Sequence, residues 1–215
     1  MIIDIFLPLS LVFIMFTLGL GLASSDFLRI FRHPRALFVG MVNQMVMLPL
    51  FALIIILAFG IHKELAVGMM ILASCPGGVT SNMISKLAGG DTALSISYTA
   101  VVSILTIFTL PIITGMSIRY FIAAEAPEID IISLCLAMFF ITALPVGIGL
   151  LVRSYFKQFS NMFEPVAVKI STFLFIVIII GALLSEWNTF TDNFYRLGPA
   201  IILLMVSMIT VGYKS

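Results

Sequence analysis

The chain has 215 residues, 61% of them hydrophobic and 10% charged, with a mean hydropathy of +1.23 and a formal net charge of +1. Soluble domains hold roughly 45–50% apolar and about 25% charged residues, so the composition points to an integral membrane protein, and its near-neutral balance gives no sign of a nucleic-acid partner. Cys75 and Cys135 both lie in apolar runs, which argues against a disulfide framework or a zinc site.

Seven stretches carry little or no charge over a length that crosses about 30 Å of hydrocarbon as helices. They predict an all-α membrane protein in which residues 1–215 form one transmembrane domain. The first span, 5–23, follows Asp4 rather than basic residues, so it reads as a membrane helix and not as a signal peptide. The second, 36–59, follows a basic loop with Arg29, Arg32, His33 and Arg35, and carries the amide pair Asn43 and Gln44. Those amides are costly in hydrocarbon unless bonded, so they read either as glue between helices or as part of a site. The third span, 65–85, is interrupted by Pro76, Gly77 and Gly78. The fourth, 92–116, starts after Asp91, which has the chemistry of an N-cap. The fifth is 131–152. The sixth, 165–185, is expected to open at Glu164-Pro165 and holds Lys169 near one end, where the side chain can snorkel. The seventh is 198–213.

With the N-terminus outside, Arg29, Arg32, Arg35, Lys86, Arg153, Lys157, Lys169 and Lys214 are cytoplasmic, while Lys63, Arg119 and Arg196 are external. Eight basic residues against three orient the chain N-out with residue 215 on the cytoplasmic side.

No Asp, Glu or His lies well inside a span. The usual general acids and bases are therefore missing, which speaks against an intramembrane enzyme or a carboxylate proton relay. What the spans offer is neutral oxygen. Pro76 lacks an N–H, and Gly77 and Gly78 let the chain leave helical geometry cheaply. Backbone groups freed at membrane depth must be buried in protein or line a wet cavity. Half-helix N-termini attract anions, and unwound carbonyls with side-chain oxygens hold cations. Ser81 and Asn82 follow the break, and Ser95, Thr99 and Ser103 recur every four residues on the next span as one polar stripe. A plain kink with hydroxyls bonded to their own helix is the competing interpretation.

The ordered set "CPGGVTSN" at 75–82, "GGDTALS" at 89–95 and Thr99 four residues later resembles the bile acid:sodium symporter family. "GLGL" and "DF" around the end of the first span, "HP" at 33–34 and "NQMVMLP" at 43–49 add to it, and the resemblance extends over essentially the whole chain. It implies a nine- or ten-helix fold of two inverted repeats divided into a panel and a core, with a discontinuous Pro-Gly-Gly helix at the membrane centre. It implies that Ser81, Asn82, Ser95 and Thr99 ligate one sodium ion and that Gln44 contributes to a second. It places a small organic anion, such as a bile-acid-like or carboxylate solute, beside Val79, Thr80 and Asn82. Many relatives have a polar residue directly after the glycines, where this chain has Val79 and the hydroxyl one residue later. No cofactor is expected beyond Na+ as the coupling ion, and the expected location is a bacterial inner membrane.

About seven of the family's helices are expected within these residues. "SMITVGYKS" at 207–215 resembles the family's eighth helix, and the second crossing helix with its Glu-x-x-x-Gln motif is not found. Glu186, at a span end, is no substitute. The leading expectation is thus a sodium-coupled symporter working by alternating access. The alternatives are a truncated, non-transporting relative and an arsenite-type oxyanion efflux protein in which Cys75 would be the reactive thiol.

Overall fold

The computed structural model describes residues 2–22, 34–122, 133, 136–137 and 139–214, with side chains at all of these except 2–5, 79–80, 82–83, 93 and 214. Arg29, Arg32 and His33 of the basic loop, the acidic residues Glu125, Glu128 and Asp130, and Cys135 lie outside the described residues. Nine α-helices are described: α1 (Ile2–Gly21), α2 (Pro34–Val42), α3 (Leu48–Ala58), α4 (Lys63–Ser74), α5 (Val79–Leu87), α6 (Thr92–Phe121), α7 (Leu144–Tyr155), α8 (Lys157–Ser185) and α9 (Trp187–Lys214). A π-helical turn, Asn43–Met47, joins α2 to α3, and another, Phe139–Ala143, leads into α7. Helical segments Pro34–Ala58, Leu94–Phe121, Lys157–Ser185 and Trp187–Tyr213 are long and apolar enough to cross a membrane, and Phe6–Gly21 and Phe139–Tyr155 are shorter apolar helices. The protein is an all-α integral membrane protein.

Both π turns end immediately before a Leu-Pro pair, Leu48-Pro49 in one case and Leu144-Pro145 in the other. A proline in a helix withholds a hydrogen bond from the carbonyl four residues earlier, and its ring crowds that carbonyl. Widening the preceding turn by one residue relieves the crowding, so the helix passes through without breaking.

Two compact units emerge. The first comprises residues 1–26 and 136–192. In it α1 and α7 touch backbone to backbone. A Cβ on Gly19 would stand 2.2 Å from the Val146 carbonyl oxygen, and one on Gly149 would stand 2.3 Å from that of Phe16. Small residues at a membrane-helix crossing permit this approach, and dispersion contacts then hold the pair. Helix α8 is tied to α1 by a buried hydroxyl pair. Ser171 Oγ donates to Thr17 Oγ1 at 2.8 Å, and Thr17 donates to the Phe13 carbonyl at 2.9 Å.

Helix α8 starts at Lys157 rather than at the expected Glu164-Pro165, and Pro165 lies inside it. The turn is set earlier, where Phe156 leaves helical geometry at φ −120°, ψ 58° and its carbonyl accepts the Ser160 N–H at 2.9 Å. Arg153 then pins the first two turns. It pairs with Glu164 at 2.6 Å and donates to Asn161 Oδ1 at 3.0 Å. The proline costs a single backbone hydrogen bond, which this polar lead-in offsets.

Helix α9 likewise begins at Trp187, well before the expected 198. Glu186 separates it from α8, accepting the Phe190 N–H on its carbonyl at 2.8 Å and the Thr189 hydroxyl on its carboxylate at 2.9 Å. The polar residues Asn188, Asp192, Asn193 and Arg196 lie within this helix, ahead of the apolar run that begins at Leu197.

The second unit comprises residues 27–135 and 193–215. Its core joins Ala52, Ile55 and Ile56 of α3, Ala66, Met69, Met70 and Ala73 of α4, and Ala200 and Leu204 of α9, all buried. Tyr98 of α6 packs on Gly40 of α2, where a Cβ would meet its ring at 2.7 Å. Its hydroxyl donates to the Gly40 carbonyl at 2.7 Å.

The turn from α5 to α6 follows from its residues. Gly89 takes φ +72°, and its N–H donates to the Lys86 carbonyl at 3.2 Å, while Gly90 N–H donates to the Ser85 carbonyl at 2.9 Å. This is the paired-bond stop that ends a helix on a left-handed glycine. Asp91 Oδ1 then accepts the Leu94 N–H at 3.0 Å and caps α6, as its place after two glycines predicts.

Candidate site at the helix break

Between α4 and α5, residues 75–78 are not helical. Cys75 is extended at φ −69°, ψ 142°, and Gly78 at φ −103°, ψ −172°. Proline and two glycines therefore produce two half-helices at the place the sequence marks.

The freed groups find partners. Gln44 Nε2, reaching from the π turn, donates to the Cys75 carbonyl at 2.8 Å. Ser81 Oγ donates to the Gly78 carbonyl at 2.7 Å, and the Ser81 N–H reaches the same carbonyl at 3.0 Å. Gly77 leaves room for this, since a Cβ there would press on Ser81 Oγ at 3.1 Å. The Gln44 amide thus acts through its N–H on the break, while its oxygen is chemically a cation ligand. Gln44→Leu strips the Cys75 carbonyl of this donor and is expected to cost about 1–3 kcal/mol of stability. The drop would be read as a lower unfolding midpoint of the detergent-solubilised protein in sodium-free buffer.

Thr99 Oγ1 donates to the Ser95 carbonyl at 2.9 Å, and Ser103 Oγ donates to the Thr99 carbonyl at 2.7 Å. Hydroxyls in apolar helices commonly bond back to their own turn in this way. Such a bond uses the proton and leaves oxygen lone pairs, so it orients the stripe without removing its capacity to ligate a cation. Val79, Thr80 and Asn82 occupy the first turn of α5, and their side chains lie outside those described. Gln44, Ser81, Ser95 and Thr99 are each half-buried. The donor set is wholly neutral oxygen, which suits a hard monovalent cation rather than zinc or copper. Among the described residues no cluster of three or more His, Cys, Asp or Glu side chains is placed to hold a metal.

Two contributors are not evident from composition or spacing. Tyr98 clamps α6 on α2 through Gly40, and nothing in the sequence pairs positions 58 residues apart. Ser85 Oγ donates to the Ser81 carbonyl at 3.1 Å and lies 3.2 Å from Ser95 Oγ. Its position four residues after Ser81 is the signal that could have found it.

The model of the Sodium Bile acid symporter family matches residues 8–192. The chain is 31% identical over 211 residues to the uncharacterized sodium-dependent transporter YocS of Bacillus subtilis (strain 168), covering 97% of this chain and 62% of YocS. It is 30% identical over 158 residues to the probable sodium/metabolite cotransporter BASS2, chloroplastic, of Oryza sativa subsp. japonica, covering 74% of this chain and 36% of that protein. It is 29% identical over 171 residues to the P3 protein of Homo sapiens, covering 80% of this chain and 33% of that one. The matched segment thus spans between about one third and three fifths of these relatives' length. The chain belongs to the sodium bile acid symporter family, a family of membrane transporters rather than enzymes.

Proposed function

We propose that the protein is a sodium-coupled secondary transporter of a small organic anion, working by alternating access in a bacterial inner membrane with its N-terminus outside. The observation that carries this reading is the break at 75–78, lined by neutral oxygens and flanked by a half-helix N-terminus. Broken membrane helices of this kind supply carbonyls and hydroxyls for sodium and amides for anionic substrate groups. The names of YocS, a sodium-dependent transporter, and BASS2, a probable sodium/metabolite cotransporter, agree with it. In the proposed site Ser81, Asn82, Ser95 and Thr99 hold one sodium ion and Gln44 contributes to a second, while the anion binds near Val79, Thr80 and Asn82. Bound sodium would order the break, and the anion would then favour the ion-loaded state, which is coupling by linkage.

Uptake of a radiolabelled bile salt and of a short monocarboxylate into vesicles containing the protein tests this. An inward sodium gradient is expected to drive accumulation of at least one, an equal potassium gradient to drive neither, and Asn82→Ala to abolish the difference. Uptake indifferent to sodium, or to the substitution, contradicts the assignment.

A further inference from the structure

Ser85 holds the α5–α6 hairpin through two separate groups. Its carbonyl accepts the Gly90 N–H at 2.9 Å in the turn that ends α5. Its hydroxyl sits between the Ser81 carbonyl, 3.1 Å away, and Ser95 Oγ, 3.2 Å away. A serine hydroxyl has one proton to give and lone pairs to accept with. Given to Ser95 Oγ, 3.2 Å away, that proton crosses the hairpin and occupies one Ser95 lone pair. With one lone pair so engaged, the direction of the Ser95 oxygen's remaining lone pair is fixed. A cation is held by lone pairs and repelled by hydroxyl protons, so a partner that fixes the direction of a ligand's O–H sets its value as a ligand.

We propose that Ser85 is a positioning residue that orients the Ser95 hydroxyl for cation binding, an inference that rests on the sodium site proposed above. Ser85 is not itself counted among the ligands. Its hydroxyl links the two elements that carry them, α5 with Ser81 and α6 with Ser95 and Thr99. Without it the Ser95 oxygen loses its link to α5, and cation binding must then fix its direction.

The test is the sodium concentration that gives half-maximal thermal stabilisation of the purified 215-residue protein, with potassium chloride holding ionic strength constant. Ser85→Ala is expected to raise that concentration about tenfold, in the range seen when partners of metal ligands are removed. Ser85→Thr, which keeps the hydroxyl, is expected to restore it to within about twofold of wild type. Gly89→Ala serves as the structural control. It strains the φ +72° turn and lowers the midpoint without sodium, while leaving the half-maximal concentration near the wild-type value. If Ser85→Ala matches wild type, or if Gly89→Ala raises the half-maximal concentration as much as Ser85→Ala does, the positioning role is overturned and the sodium site stands. If the wild-type protein itself gains nothing from sodium over potassium, both the site and this role are overturned.

Discussion

Gly149→Ala is expected to destabilise the protein by about 3 kcal/mol, at the upper end of what one added methyl group costs in a well-packed interior. The reason lies in what surrounds the missing Cβ. On one side is the Phe16 carbonyl oxygen at 2.3 Å, and on the other the Gly19 backbone at 2.9 Å. No flexible side chain stands in the way that could rotate aside. The whole of α1 would have to move off α7, taking with it the Thr17–Ser171 hydroxyl bond to α8. Gly147 on the same helix is the internal comparison, because a Cβ there has nothing within 4 Å. Gly147→Ala is expected to be neutral or to stabilise by about 0.4–1 kcal/mol through the unfolded state. Unfolding midpoints of the two variants in one detergent check the pair. Equal effects would mean that α1 and α7 are not in backbone contact.

Thr99→Val is expected to weaken sodium binding by about 10–100-fold, corresponding to the loss of an interaction of about 1.5–3 kcal/mol with a charged group. The substitution keeps the shape and removes only the hydroxyl. Stability without sodium should change little. The Thr99 hydroxyl bonds the Ser95 carbonyl at 2.9 Å, and that carbonyl already serves the backbone of its own helix turn. The two quantities therefore separate a ligand from a helix-backbone bond. If sodium affinity is unchanged and only the sodium-free midpoint falls, the hydroxyl stripe is structural.

The local signals in the sequence carry the break and its surroundings well. Pro76, Gly77 and Gly78 dictate loss of helix by their own backbone chemistry, and Asp91 after two glycines dictates a cap, so both follow without knowledge of any distant contact. Pro165 shows where such reasoning stops. A proline is an acceptable helix start, but the start is decided by Phe156 and by Arg153 reaching Glu164 across eleven positions. The π turns before Pro49 and Pro145 answer a crowding that could have been met by a kink or a break instead. Gly19, Gly149 and Gly40 are ordinary glycines until the partner helix is known. The hydroxyl stripe is legible as a stripe, with its i−4 bonds foreseeable from membrane-helix chemistry. The bridge from Ser85 to Ser95 depends on the hairpin angle and is not legible beforehand.

Radiolabelled sodium binding to the purified protein most directly tests the central proposal, that the oxygens around the Pro-Gly-Gly break hold a cation. The expected result is saturable binding displaced by unlabelled sodium but not by potassium, and weakened at least about tenfold in both Asn82→Ala and Thr99→Val. Binding that is absent, that potassium displaces equally, or that neither substitution alters would contradict it.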